Sequence, residues 1–302
     1  MEKVIDVRNL TKKFNNGAGI FDISFKIEKH SFCVLIGENG AGKSTLFKSI
    51  MGFLKPSAGE VFINGLESFK NQDTIKEDVS YIPGEFTFFD LPSGRDFLKI
   101  CAELDEKMDL DLAYKIAMEL SLDLSIRPKK MSKGTKQKLS IVNAFARNKE
   151  IYLLDEPFNG LDPLIREKFN TILHEAKNKS KTIFMSTNSI EEVANLCDRI
   201  LIIDKGKILL DIDVNEIMKE KKKIFKVKFS NIENFSHEKF GKAIIHSNKL
   251  NLTNFYVIKE NELNIFFKDL QHKGIANLSE HEFSLVDYVK LLTEKIYEKN
   301  NK

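Results

Sequence analysis

The chain has 302 residues, room for one large α/β domain and a small one. Its 47 Lys and Arg against 44 Asp and Glu leave no charge excess that would by itself draw it to nucleic acid. Three widely spaced cysteines, Cys33, Cys101 and Cys197, make neither a zinc pattern nor a disulfide framework, so reduced thiols in the cytosol are expected. No apolar run reaches the ~18–20 residues that cross a bilayer, and Met1–Asp6 lacks a signal-peptide core. Work at a membrane would therefore need another chain to cross it.

Val4–Leu10 and Ile23–Ile27 alternate like half-exposed strands, with Thr11–Gly17 read as a turn between them. Phe14 in that turn has two readings, core padding at a strand end or a flat surface for an adenine ring. Apolar Phe32–Ile36 then enters Gly37-Glu38-Asn39-Gly40-Ala41-Gly42-Lys43-Ser44-Thr45, and Leu46–Met51 reads as the first turns of a helix. Strand, glycine-rich loop with Lys-Ser/Thr, and helix form the P-loop arrangement. Its glycines let successive N–H groups point at one anion, and the helix N-terminus adds partial positive charge. Lys43 is expected to reach the outer phosphates of a nucleoside triphosphate, and Ser44 to offer its hydroxyl to Mg²⁺.

Glu60–Ile63 reads as a strand running into an Asn64-Gly65 turn, and Val79–Pro83 as another short strand. From about Phe88 to Met131 the pattern is helical, with Phe97, Ile100, Cys101 and Leu104 on one face and Leu112, Ile116 and Leu120 on another. This interrupts the strand–helix alternation and predicts an inserted helical subdomain over about 88–135. Thr135–Ala146 reads as a helix. Ile151–Leu154 reads as a strand buried on both faces, ending in Asp155-Glu156-Pro157. Asp162-Pro163 opens a further helix, followed by strand Thr182–Ser186, helix Ile190–Leu196 and strand Arg199–Asp204. Lys205-Gly206 turns back into Lys207–Leu210. The alternation implies a parallel sheet with helices on its faces.

Beyond about Asp213 the texture changes, and 214–302 reads as a small α+β domain without a catalytic motif. The charge run Lys219–Lys223 reads as a solvated link or helix end. Ile224–Phe229 and Leu263–Phe267 read as amphipathic strands, and the chain ends in a helix with Leu285, Val289, Leu292 and Ile296 on one stripe.

Asp155 and Glu156 end a buried strand, where a carboxylate pair needs something cationic facing it. In P-loop logic Asp155 holds Mg²⁺, directly or through water, and Glu156 polarises the water that attacks the γ-phosphate.

Lys43-Ser44-Thr45, Ser132-Lys133-Gly134-Thr135-Lys136-Gln137, Leu153-Leu154-Asp155-Glu156-Pro157 and Asn159-Gly160-Leu161-Asp162-Pro163 occur in the order found in one family. From Met1 to about Asp211 the chain resembles the ATP-binding subunit of an ABC transporter. The resemblance implies a P-loop NTPase core over 1–213 and a head-to-tail dimer of ATPase domains, homo- or heterodimeric, with ATP sandwiched between the chains. It implies that ATP meets Phe14, Gly37, Asn39, Gly40, Ala41, Gly42, Lys43, Ser44 and Thr45 of one chain and Ser132 and Gly134 of the other. Phe14 then matches the family's adenine-stacking aromatic, normally Tyr, and Asn159–Asp162 the loop linking the two sites. A separate transmembrane permease subunit is the implied partner, which would hold the protein at the inner face of the cell membrane.

Some residues depart from that pattern. The signature reads Ser-Lys-Gly-Thr-Lys-Gln rather than Ser-Gly-Gly-Gln, a variant that resembles subunits of bacterial exporters whose membrane partner is a separate chain. Gly84-Glu85 stands where the family has Gln, so either Glu85 substitutes as a metal ligand or that ligand is absent. Asn188 stands where the family has its switch histidine. Asn can hydrogen-bond a γ-phosphate but cannot take up a proton. Slow turnover is expected, with Glu156 still in place.

The leading expectation is an ATP-hydrolysing subunit of an exporter of peptides, antimicrobial compounds or other amphipathic molecules. One alternative, motivated by Asn188 and Gly84, is a regulatory, weakly hydrolysing half of a heterodimeric pair. A soluble ABC ATPase acting on ribosomes or DNA is the other. The single P-loop and the lack of long heptad segments argue against it.

Overall fold

A computed structural model describes residues 2–85, 88–219, 221–230, 244–248, 251–271 and 273–300. Strands β1 (Lys3–Lys13) and β2 (Gly19–Glu28) pair antiparallel. β3 (Phe32–Ile36), buried at every position, leads through the glycine-rich loop into α1 (Lys43–Ile50). β4 (Ala58–Ile63) and β5 (Leu66–Glu67) join β1 and β2 in a sheet ordered β2-β1-β4-β5. Asn64 (φ 49°) and Gly65 (φ 81°) make the tight hairpin turn between β4 and β5, the backbone that Asn-Gly favours.

After α2 (Gln72–Asp78) and β6 (Val79–Ile82) the chain leaves the sheet for α3 (Gly94–Leu104) and α4 (Leu110–Glu119). It returns through α5 (Lys133–Ala146) to β7 (Ile151–Asp155), then α6 (Pro163–Asn178), β8 (Thr182–Thr187), β9 (Arg199–Asp204) and β10 (Lys207–Asp213). The resulting sheet is ordered β10-β9-β3-β8-β7-β6 and is parallel except where β10 turns back along β9. Ser93, Asp109, Ser132 and Asp162 each cap a helix by accepting a backbone N–H, satisfying donors that a helix start leaves open.

α1 is gripped between the two sheets. Leu46, Phe47 and Ile50 share one core with Val7 and Leu10 of β1 and with Leu153, Phe184 and Leu201 of the parallel sheet. Phe47 stacks on Phe184 at 4.7 Å between ring centroids. This clamp fixes the helix whose first turn borders the glycine-rich loop.

The chain divides into two compact units, Met1–Asp213 and Val214–Lys302. In the second, α7 (Val214–Lys219) precedes β11 (Lys222–Phe229), β12 (Ile244–Asn248), β13 (Thr253–Lys259), α8 (Leu263–Leu270), β14 (Ile275–Glu282) and α9 (Leu285–Asn300). Its sheet is ordered β12-β13-β11-β14, and Phe225, Val227, Phe229, Tyr256, Ile258, Phe266 and Leu270 form a core of their own. Glu220 of the charge run and the side chain of Ile296 lie outside the described residues.

The structure differs from the sequence expectation at several places. Thr11–Lys13 continue β1 instead of turning, because Lys12 and Lys13 pair with Ile20 and Gly19 across irregularities that break the alternation. Ile190–Leu196 is not a helix beyond one 3-10 turn at Ile190–Glu192, since Val193 (φ −142°) leaves helical geometry. Leu263–Phe267 is helix, not strand: Phe266 and Leu270, four apart, are buried while Ile265 is exposed. β12, β13 and β14 had no expectation beforehand.

Candidate functional site

The glycine-rich loop leaves β3 at Ile36 and enters α1 at Gly42, whose φ of +107° is the left-handed backbone that glycine alone takes easily. No side chain caps the start of α1, so its first N–H groups are open to an anion. The loop is fixed from behind: Ala41 O accepts from Gly206 N–H at 2.9 Å, tying it to the β9–β10 turn.

Lys43 does not extend from this loop but is folded into it, 3% exposed. Its ammonium donates to Gly37 O (2.6 Å), Glu38 O (2.9 Å) and Asn188 Oδ1 (2.9 Å), and pairs with Glu156 Oε1 at 3.0 Å. Asn188 also donates through Nδ2 to Asn39 Oδ1 at 3.3 Å. The loop, Asn188 and Glu156, far apart in the chain, thus converge on one cation. Glu156 sits at φ +50°, its other carboxylate oxygen accepting from Asn159 Nδ2.

Asp155, fully buried, accepts from the Ser186 hydroxyl through Oδ1 at 2.7 Å. Its Oδ2 is buried with no partner in hydrogen-bond geometry. Burial pushes this carboxyl up, opposed by the nearby Ser44 and Ser186 hydroxyls and the Gly84 N–H. A Cβ on Gly84 would lie 2.9 Å from Asp155 Oδ2 and 3.5 Å from Ser44 Oγ. Asp155 and Ser44 therefore border one small gap that a larger residue at position 84 would invade. An orphaned carboxylate oxygen beside a hydroxyl is a hard-oxygen donor set that suits Mg²⁺, which keeps several waters and takes few protein ligands. Glu85 is exposed and makes no hydrogen bond or ion pair with any described residue. It is Gly84 that abuts the carboxylate.

Phe14 is 37% exposed, which removes the core-padding reading. Ser132 caps α5, its hydroxyl accepting from Thr135 N–H at 3.2 Å. Gly134 packs against the carbonyl of Gly160, where an added Cβ would lie 2.3 Å from the oxygen. Neither Ser132 nor Gly134 hydrogen-bonds a residue of the glycine-rich loop among the described residues. Thr45 continues α1, its carbonyl accepting from Ser49 Oγ at 2.8 Å.

Sequence reasoning missed the residues that brace this cluster. Ser186 contacts both Asp155 and Glu156. Gln137, buried on α5, donates to Pro157 O at 2.9 Å. Glu192, pushed up by burial, accepts from Thr187 and from Arg166, and Arg166 reaches back to Leu161 O at 3.0 Å. Gln137 closes the Ser132–Gln137 motif and Ser186 ends a predicted strand, but neither pattern says what these side chains face.

The site offers uncapped amides and a lysine to an anion, with a buried acidic pair opposite. That is the equipment for binding and cleaving a phosphoanhydride. Comparison with known proteins agrees. The profile of the ABC transporter family matches residues 20–159. An uncharacterized ABC transporter ATP-binding protein of Methanocaldococcus jannaschii is 32% identical over 212 residues, covering 68% of this chain and 76% of that one. The bacitracin transport ATP-binding protein BcrA of Bacillus licheniformis is 30% identical over 234 residues, covering 76% of each chain. A solved ATP-binding subunit of an ABC transporter superposes with a TM-score of 0.65 at 30% identity, covering 72% of this chain and 92% of that one. The chain belongs to the ABC transporter family, as an ATP-binding subunit with ATPase activity.

Proposed function

We propose that this chain is the energising subunit of an exporter of peptides, antimicrobial compounds or other amphipathic molecules, acting as a dimer on a separate transmembrane permease. The likeness to a bacitracin transport protein supports that substrate class. The observation that carries the mechanism is the convergence of Lys43, Glu156, Asn188 and Asn39 under an uncapped helix start.

In this reading the adenine lies on the exposed ring of Phe14, and the phosphates take the amides of Gly37–Thr45, including those of Asn39, Gly40, Ala41 and Gly42. Lys43 exchanges its carbonyl and carboxylate partners for phosphate oxygens. Ser44 and Oδ2 of Asp155 would hold Mg²⁺, which would supply positive charge to the phosphates there. Glu156, released from Lys43, accepts a proton from the attacking water. Asn188, already within hydrogen-bond reach of Lys43, can donate its amide to the γ-phosphate but carries no titratable proton. Ser132 and Gly134, at the N-terminus of α5, face the γ-phosphate of the partner chain's ATP.

Asn188 supports a second reading, a weakly hydrolysing, regulatory half of a heterodimeric pair. An amide in the switch position senses phosphate without cycling charge.

The test is the oligomeric state of Glu156→Gln by light scattering with saturating ATP and Mg²⁺. A stable dimer is expected, since closure survives the loss of water activation. A chain that stays monomeric under those conditions argues against a sandwich of two copies of this chain.

A further inference from the structure

Ser186 lies next to the end of β8, and the parallel register sets it beside Asp155 of β7. Its side chain is 0% exposed in a strand otherwise dominated by apolar and β-branched residues. A buried hydroxyl in that setting needs partners, and it has two. Glu156 N–H donates to Ser186 Oγ at 2.9 Å, and Ser186 Oγ donates to Asp155 Oδ1 at 2.7 Å. A backbone amide cannot accept, so the single hydroxyl proton goes to the carboxylate when Asp155 is ionised.

One hydroxyl therefore acts on both members of the acidic pair. It engages Oδ1 of Asp155 and leaves Oδ2, which faces Gly84 and Ser44, outside strict hydrogen-bond geometry. It also holds the amide of Glu156, a non-glycine residue at φ +50°, a backbone state that persists only where its surroundings over-determine it. We propose that Ser186 is a positioning residue for ATP hydrolysis. It selects which Asp155 oxygen is offered to the metal and sets the turn that aims Glu156 at the attacking water. This inference rests on the roles proposed above for Asp155 and Glu156.

The experiment compares wild type, Ser186→Ala, Ser186→Thr and Glu156→Gln, using full-length chain. ATP affinity is measured by calorimetry in EDTA and again with Mg²⁺, beside steady-state turnover and melting temperature. Ser186→Ala should bind ATP as wild type does in EDTA. Its gain in affinity on adding Mg²⁺ and its kcat should each fall about tenfold or more, the usual cost of losing a residue that orients a metal ligand. Ser186→Thr, which keeps the hydroxyl, should restore most of both. An alanine variant whose Mg²⁺ gain and kcat match wild type overturns the proposal. So does one that shows only a lowered melting temperature, the mark of a hydroxyl that merely stabilises the fold. Ser186→Cys, nearly isosteric and a weak donor, replaces alanine if that chain does not fold, with the same expected direction. Full turnover by Glu156→Gln would instead remove the underlying assignment of Glu156, whatever Ser186 does.

Discussion

Lys43 is ion-paired with Glu156, so a nucleotide that claims the lysine has to take it away from the carboxylate. Replacing Glu156 by Gln should therefore do two opposite things. It should destabilise the empty protein and tighten its grip on ATP. Two unit charges 3.0 Å apart attract by about 5.5 kcal/mol at an effective dielectric of ~20. Removing both charges from water offsets most of this. Lys43 also keeps Gly37 O, Glu38 O and Asn188 Oδ1 in the variant. With those three acceptors left, the loss is that of one charge-assisted hydrogen bond, about 1.5–3 kcal/mol, which is about 10–150-fold in affinity. For a unit of this size the same energy is roughly 3–12 °C of melting temperature. The assay is calorimetric titration with ATP in EDTA, which keeps metal out of the comparison, alongside a thermal melt of the empty chain. The cycle is closed in a Lys43→Met background, where the gain should vanish. A gain of equal size without the lysine would trace it to plain repulsion between carboxylate and phosphates and refute the reasoning, as would an unchanged melt.

Lys43→Ala should weaken ATP binding about tenfold or more through loss of a charge-assisted contact, and unchanged affinity would contradict a phosphate role. Asn188→His should raise steady-state turnover about tenfold or more, with or without the membrane partner, by adding a group that can carry a proton. Equal, brisk rates in both proteins would show that Glu156 suffices. Gly134→Ala puts a Cβ 2.3 Å from Gly160 O. It should cost about 1–3 kcal/mol, read as a lower urea midpoint, because a backbone carbonyl cannot step aside as a side chain can. A midpoint equal to wild type would show that contact to be soft.

The P-loop and the acidic pair were legible because each is a local pattern. Glycines, a lysine and a hydroxyl sit between an apolar strand and a helix, and two carboxylates end a wholly apolar run. The parallel sheet followed from strand–helix alternation, which depends only on neighbours along the chain. What faces what across the sheet was not legible. That Lys43 closes on Asn188 and Glu156, that Ser186 serves Asp155 and Glu156 together, and that Gly84 rather than Glu85 borders the Asp155 carboxylate all depend on strand order. β8 lies between β3 and β7, and so brings residue 186 beside residue 155 and residue 188 beside the loop. The second unit shows the same limit. Leu263–Phe267 alternates well enough to read as a strand, but Phe266 and Leu270 bury against Phe225 and Tyr256 only as a helix. Periodicity reports which side chains can share a face, whereas the element that covers that face is chosen by packing between residues far apart in sequence.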